Sequence, residues 1–186
     1  MKTNDAILDH VKYGLAHVDG LCWLCERLIA GVPPGDLTIR VGDQVLLRRP
    51  TFGALQNALA ESGLIYCRKL LDFLGLKSQR NGGTLIERTE SYSDDTVGIE
   101  DLHLPRVSLA ALDSSPFGSG QSVRAACEHT LRAANKGVAH FTEDRGERAD
   151  AEQILRCGQV VGWLAEKHVY KALDVATPVY KVWTAG

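Results

Sequence analysis

Near the end of a run that reads as one helix from about Ser122 stand Asn135, Lys136 and His140, an amide, a cation and an imidazole. An imidazole titrates near neutrality and can give or take a proton; an amide can position an oxygen and an ammonium can face negative charge. Asn135 and His140 are five residues apart, so on a helix their side chains diverge by about 140° and bound a sector. In projection Glu128, His129, Arg132 and Lys136 fall within it, while Val123, Cys127, Leu131, Ala134, Val138 and Phe141 recur at three- and four-residue steps on the opposite side. The helix thus has a core face and a polar face, and His140 belongs to the polar one. Residue types alone leave two uses of that face open, a functional surface or plain contact with water. Arg124 and His129 add an Arg-x4-His spacing on the same face, although a chain with 13 Arg and 6 His yields such a spacing by chance.

A second set of candidates lies upstream. Asn57, Glu61, Arg68 and Asp72 follow at steps of four, seven and four, which puts them within about 60° of one another on a helix that is otherwise mostly apolar. Polar groups in such a line need partners if they are buried. The stripe reads as an internal ion-pair network with Arg68 and Asp72 joined at i,i+4, or as a polar cleft or symmetric interface. Asp94 and Asp95 suit either acid/base or metal chemistry, or the capping of a helix. Glu100-x-x-His103 has the spacing of half a di-iron site, but no second copy follows. Cys22-Trp23-Leu24-Cys25 has the redox or half-zinc spacing, yet no second pair and no preceding strand accompany it, so core packing explains it better. There is no Gly-x-Ser-x-Gly elbow, and Asn81-Gly82-Gly83 is too short for a phosphate loop. No metal or cofactor is expected.

The elements that must position these residues are mostly helical. A first helix is expected from Asn4 or Asp5 to Ala30, carrying Ile7, Leu8, Val11, Leu15, Val18, Leu21, Cys22, Cys25 and Leu28 as a broad apolar stripe. Gly31 to Asp36 turns the chain, and Thr38–Val41 and Gln44–Leu47 are expected to form a small hairpin about Gly42-Asp43, although the second run reads equally as the start of a helical segment. A second helix is expected from Thr51 to Leu76, apolar over most of its circumference and therefore central. Residues 77–120 read as irregular. The last helix is expected from Arg148 to Leu173, with Val179, Tyr180, Val182 and Trp183 docking behind it.

At 186 residues, 45% hydrophobic and 24% charged, the chain fits a single globular domain spanning 1–186. Its net charge of −2 gives no overall pull toward nucleic acid or an anionic membrane, so such binding needs a local patch. No membrane span or signal-peptide pattern is present, which places the chain in the cytoplasm with no membrane partner. The five cysteines then read as reduced core thiols. The fold class is all-α, a four-helix bundle with a long loop-rich connection before its third helix.

Three segments carry a family resemblance: ESGLIYCRKLLDFL from Glu61, Asp94-Asp95-Thr96-Val97 with Asp101, and NKGVAHFT from Asn135. Together they resemble a group of bacterial helical proteins that is distantly similar to the HEPN superfamily, over roughly half of the chain. That resemblance implies a helical bundle that pairs as a symmetric dimer. It also implies metal-independent ribonuclease chemistry, with an Arg and a His four to six residues apart handling proton transfer and phosphate charge. His140 falls on the His of that motif and Asn135 on its Arg, a departure that removes the cation. The expectation is a HEPN-like homodimer that binds RNA, a nucleotide or a protein partner through this face, with little or no catalysis. The alternatives are a ribonuclease acting through His140, aided by Asn135, Lys136 or Arg124, and a structural dimer registered by the polar stripe of the second helix.

Overall fold

The computed structural model describes residues 3–31, 37–41, 43–49, 53–79, 83–92, 96–137 and 151–178. In chain order these are α1 (Asn4–Ile29), β1 (Leu37–Val41), β2 (Gln44–Arg49), α2 (Gly53–Phe73), β3 (Leu76–Ser78), β4 (Leu85–Glu87), α3 (Gly120–Gly137) and α4 (Ala151–Ala165). Two short 3-10 turns, Ile99–Leu102 and Leu109–Ser114, precede α3, and a π-helical turn, Glu166–Tyr170, continues α4. The described residues are therefore mostly helical, as the periodicity implies.

Helix α1 begins where Thr3, in extended conformation, accepts the amide of Ala6 on its hydroxyl at 3.4 Å. From there Ile7, Val11, Leu15, Val18, Leu21 and Cys25 are buried at steps of three and four. This stripe packs against α2 and α4, while α3 packs against α4 and α2. One apolar core results, with Leu71 from the end of α2 and Leu74 just after it, Val123, Cys127 and Leu131 from α3, and Cys157, Val161 and Leu164 from α4. Close approach of α1 and α2 depends on Gly63, where a Cβ would stand 2.4 Å from Leu21 Cβ and 3.0 Å from the His17 carbonyl oxygen.

The expected hairpin is present. β1 and β2 pair antiparallel from Leu37 opposite Arg49 to Val41 opposite Gln44, with a register slip between Ile39 and Arg40. Three other expectations need correction. The second helix stops at Phe73 because Gly75 takes φ +98 and turns the chain into β3, whose Leu76 is fully buried. The same helix is not buried all round: Asn57, Ala58, Glu61, Arg68 and Lys69 are exposed, since its many Ala and Gly residues fill an apolar count without demanding burial. The stretch read as irregular contains a second hairpin, β3 with β4, paired from Leu76 opposite Glu87 to Ser78 opposite Leu85.

At the end of the chain, regular α-helix runs to Ala165 and then widens into the π turn, which keeps Val169 and Tyr170 buried. The expected helix to Leu173 is thus shorter, and Asp174 at φ 53 lies beyond it. The expected cap Thr51, turn residue Gly42, helix start Arg148 and the docking residues Val179, Tyr180, Val182 and Trp183 lie outside the described residues. No helix among the described residues is long and apolar enough to cross a membrane.

Candidate functional site

Helix α3 carries most of the sequence candidates, and its burial follows the expected division. Val123, Ala126, Cys127, Thr130, Leu131 and Ala134 face the core. Thr130 is the polar exception, and its hydroxyl donates to the Ala126 carbonyl one turn back at 2.9 Å, as a buried hydroxyl must. On the other side Arg124 and Arg132 are exposed, while Glu128, His129 and Asn135 are half-buried. Lys136 belongs to α3, but its side chain lies outside the described residues, as do His140, Asp94 and Asp95 entirely.

Part of this polar face is covered by the second hairpin, a contact no local pattern announces. The Leu85 amide at the start of β4 donates to Glu128 Oε1 at 3.0 Å. Beside it Gly83, at φ +68, lies so close to Arg132 that a Cβ would fall 2.3 Å from its Cγ. Glu128 therefore satisfies a strand-edge amide, and the stem of Arg132 rests on the Gly83 backbone. What remains outward among the described side chains is cationic: Arg124 and Arg132 are exposed, and Glu128 is the one carboxylate of α3. Arg124 and His129 are not aligned, because five residues of helix turn one about 140° from the other.

The α2 stripe differs from its expected pairing. Asp72 binds Arg88 rather than Arg68, with Arg88 Nη2 on Asp72 Oδ1 at 2.5 Å. Asn57, Glu61 and Arg68 are exposed. Asp72 is drawn into a clasp that closes the end of α2. The Tyr92 hydroxyl donates to the Asp72 carbonyl, which also accepts the Gly75 amide at 3.0 Å, and, at 3.2 Å, to the Phe73 carbonyl, both at the end of the helix. Guanidinium groups of Arg88 and Arg106 lie 4.3 Å and 5.6 Å from the centre of the Tyr92 ring. Arg106 donates to the Arg88 carbonyl at 2.7 Å and its Nε lies 2.8 Å from Glu100 Oε2. Burial, with the Asp72 charge adding to it, pushes the Tyr92 phenol up to about 12. Asp72 and Glu100 offset both guanidinium charges here, so the clasp serves the fold. Glu100 is thereby accounted for; His103 takes a left-handed turn conformation at φ 59.

The Cys22 and Cys25 thiols point to packing as well. Cys25 is buried and Cys22 half-buried; burial pushes the former up to about 12 and raises the latter also. Thiols held so far from ionisation are poor nucleophiles and ligands. Among the described residues no three His, Cys, Asp or Glu side chains gather to hold a metal ion. An open hollow of about 400 Å³ lies between the first turns of α1 and residues 170–178, lined in part by Asp5, Asp9 and Lys12, and includes no residue of α3.

Comparison with family models, curated proteins and solved structures returned no match.

Proposed function

We propose that the chain is a HEPN-like four-helix bundle of the cytoplasm that binds single-stranded RNA or a nucleotide through the outer face of α3, as a homodimer and with little or no catalysis. The observation that carries this reading is a local reversal of charge. A chain of net charge −2 turns Arg124 and Arg132 outward on one helix, while the only carboxylate of that helix is engaged by the Leu85 amide. Such a face attracts phosphate by counterion release without base readout. Asn135, half-buried at the end of the same face, can hydrogen-bond a phosphate oxygen but brings no positive charge to a transition state. Binding therefore fits these residues better than cleavage does. The ribonuclease alternative needs His140 as acid and base with a cation beside it, and Lys136 is the nearest in sequence.

The test is binding of a mixed-sequence single-stranded RNA by the purified chain over a salt series, comparing wild type with Arg124→Ala/Arg132→Ala. Weaker binding and a shallower salt slope in the variant, by about one to two units, are expected. Equal affinity of the two proteins would sink the assignment to α3. The same samples, run on a gel without metal beside His140→Ala, decide catalysis. Cleavage lost in a folded His140→Ala would replace the binding module with the ribonuclease.

A further inference from the structure

The polar stripe of α2 has the same spacing from either end. Asn57, Glu61, Arg68 and Asp72 stand at steps of four, seven and four, and reversal about the point between Leu64 and Ile65 exchanges Glu61 with Arg68 and Asn57 with Asp72. Each exchange pairs complementary groups: a carboxylate with a guanidinium, and an amide with a carboxylate. A two-fold axis through that midpoint lays a second α2 antiparallel on the first and sets every residue against its exchange partner. Glu61 and Arg68 lie about 10 Å apart along the axis, so two identical ion pairs would flank the centre of such a contact. Helices packed at about 8–10 Å bring long side chains of this kind together.

The surroundings fit. Asn57, Ala58, Glu61 and Arg68 are exposed, and Ile65 is half-buried beside the centre, where it would face Leu64 of the second copy. Asp72 is held in place by Arg88 on one oxygen, and a carboxylate accepts at both. On α3, by contrast, the one carboxylate, Glu128, is already engaged by the second hairpin.

We infer that α2 is the self-association face of this protein, occupied by a second copy of the chain in antiparallel register with reciprocal Glu61–Arg68 pairs. This gives the homodimer of the proposed function its surface and rests on the dimer part of that reading, not on RNA binding.

The experiment is sedimentation of the full chain over a concentration series. Wild type is expected to dimerise. Glu61→Arg sets two guanidinium groups against each other at both pairs, and Arg68→Glu sets two carboxylates against each other at both; each is expected to weaken the dimer more than about tenfold. The double variant Glu61→Arg/Arg68→Glu restores both pairs and is expected to restore association. An equimolar mixture of the two single variants is expected to form a heterodimer, since one chain then brings two cations to the centre of the stripe and the other brings two carboxylates. Undiminished dimers in either single variant, or no association in their mixture, would place the interface elsewhere. A wild type that stays monomeric would remove the dimer altogether while leaving RNA binding by α3 to its own test.

Discussion

Two glycines in helix interiors allow one substitution to be read with opposite signs. Replacing a mid-helix Gly by Ala removes backbone freedom from the unfolded chain and is worth about 1 kcal/mol where the new methyl meets nothing. Gly162, in α4, has no heavy atom of another described residue outside its own helix backbone within 4 Å of the position its Cβ would take. Gly162→Ala is therefore expected to stabilise the protein by about 0.5–1 kcal/mol. Gly63, in α2, is the opposite case. Its Cβ would stand 2.4 Å from Leu21 Cβ and 3.0 Å from the His17 carbonyl oxygen. Neither atom is the tip of a side chain that can swing aside, and carbon atoms rest at about 3.5–4 Å, so α1 and α2 must separate by more than about 1 Å.

Overpacking of this kind costs about 1–3 kcal/mol, and a clash with Cβ and backbone belongs at the upper end. Crediting about 1 kcal/mol for helix propensity leaves Gly63→Ala destabilised by about 2 kcal/mol. At this chain length that is a fall in Tm of about 4–8 °C, against a rise of about 1–4 °C for Gly162→Ala. Urea unfolding followed by circular dichroism measures both, and unchanged m-values would show that the midpoints report stability. A Gly63→Ala protein as stable as wild type would refute the close α1–α2 contact, and a destabilised Gly162→Ala would refute the open setting of that part of α4.

Two more consequences follow from groups the functional reading does not use. Tyr92→Phe keeps the ring between Arg88 and Arg106 but removes the hydroxyl from the Asp72 and Phe73 carbonyls, and should cost about 1–1.5 kcal/mol in thermal unfolding; no loss would mean that water replaces the bond. His168, in the π turn, has its Nε2 buried with no hydrogen-bond partner among the described residues, and desolvation, with Lys167 adding to it, lowers its pKa. The unfolded imidazole titrates near 6.5, so below that pH the unfolded chain binds the proton more readily and stability falls as pH drops toward the lowered value. His168→Gln should flatten this part of a plot of Tm against pH, and an unchanged slope would assign the loss to other groups.

How much of this was legible depended on where each residue finds its partner. Helix α1 was readable almost to the residue because its apolar steps and Gly31 are local signals. The β1–β2 hairpin was readable for the same reason, from two short apolar runs about Gly42-Asp43. The β3–β4 hairpin was not, because strands of three residues leave no room for alternation, and Leu76 reads equally well as the end of a helix. Pairing failed where it was long-range. Arg68 is one turn from Asp72, yet Asp72 binds Arg88, sixteen residues on, because Gly75 turns the chain back across the end of α2. Glu128 likewise looked like one more charge on a solvated face, and its partner is an amide forty-three residues earlier.

That last contact changes what the α3 face is. Read as a string, Glu128, Arg132 and Lys136 mix signs, and mixed signs suggest self-pairing across a two-fold axis. In the fold, the carboxylate keeps its charge but is drawn to a strand edge, and the arginines are left outward, so the exposed part of the face is cationic. The requirement for charge self-complementarity then passes to α2, whose Glu61 and Arg68 are both exposed and stand symmetrically about the midpoint of Leu64 and Ile65. Because Arg68 lies on α2 and Arg124 and Arg132 lie on α3, charge reversal at the first leaves the charge of the second untouched. Association and RNA affinity can therefore be measured on separate variants, and each can fail without taking the other with it.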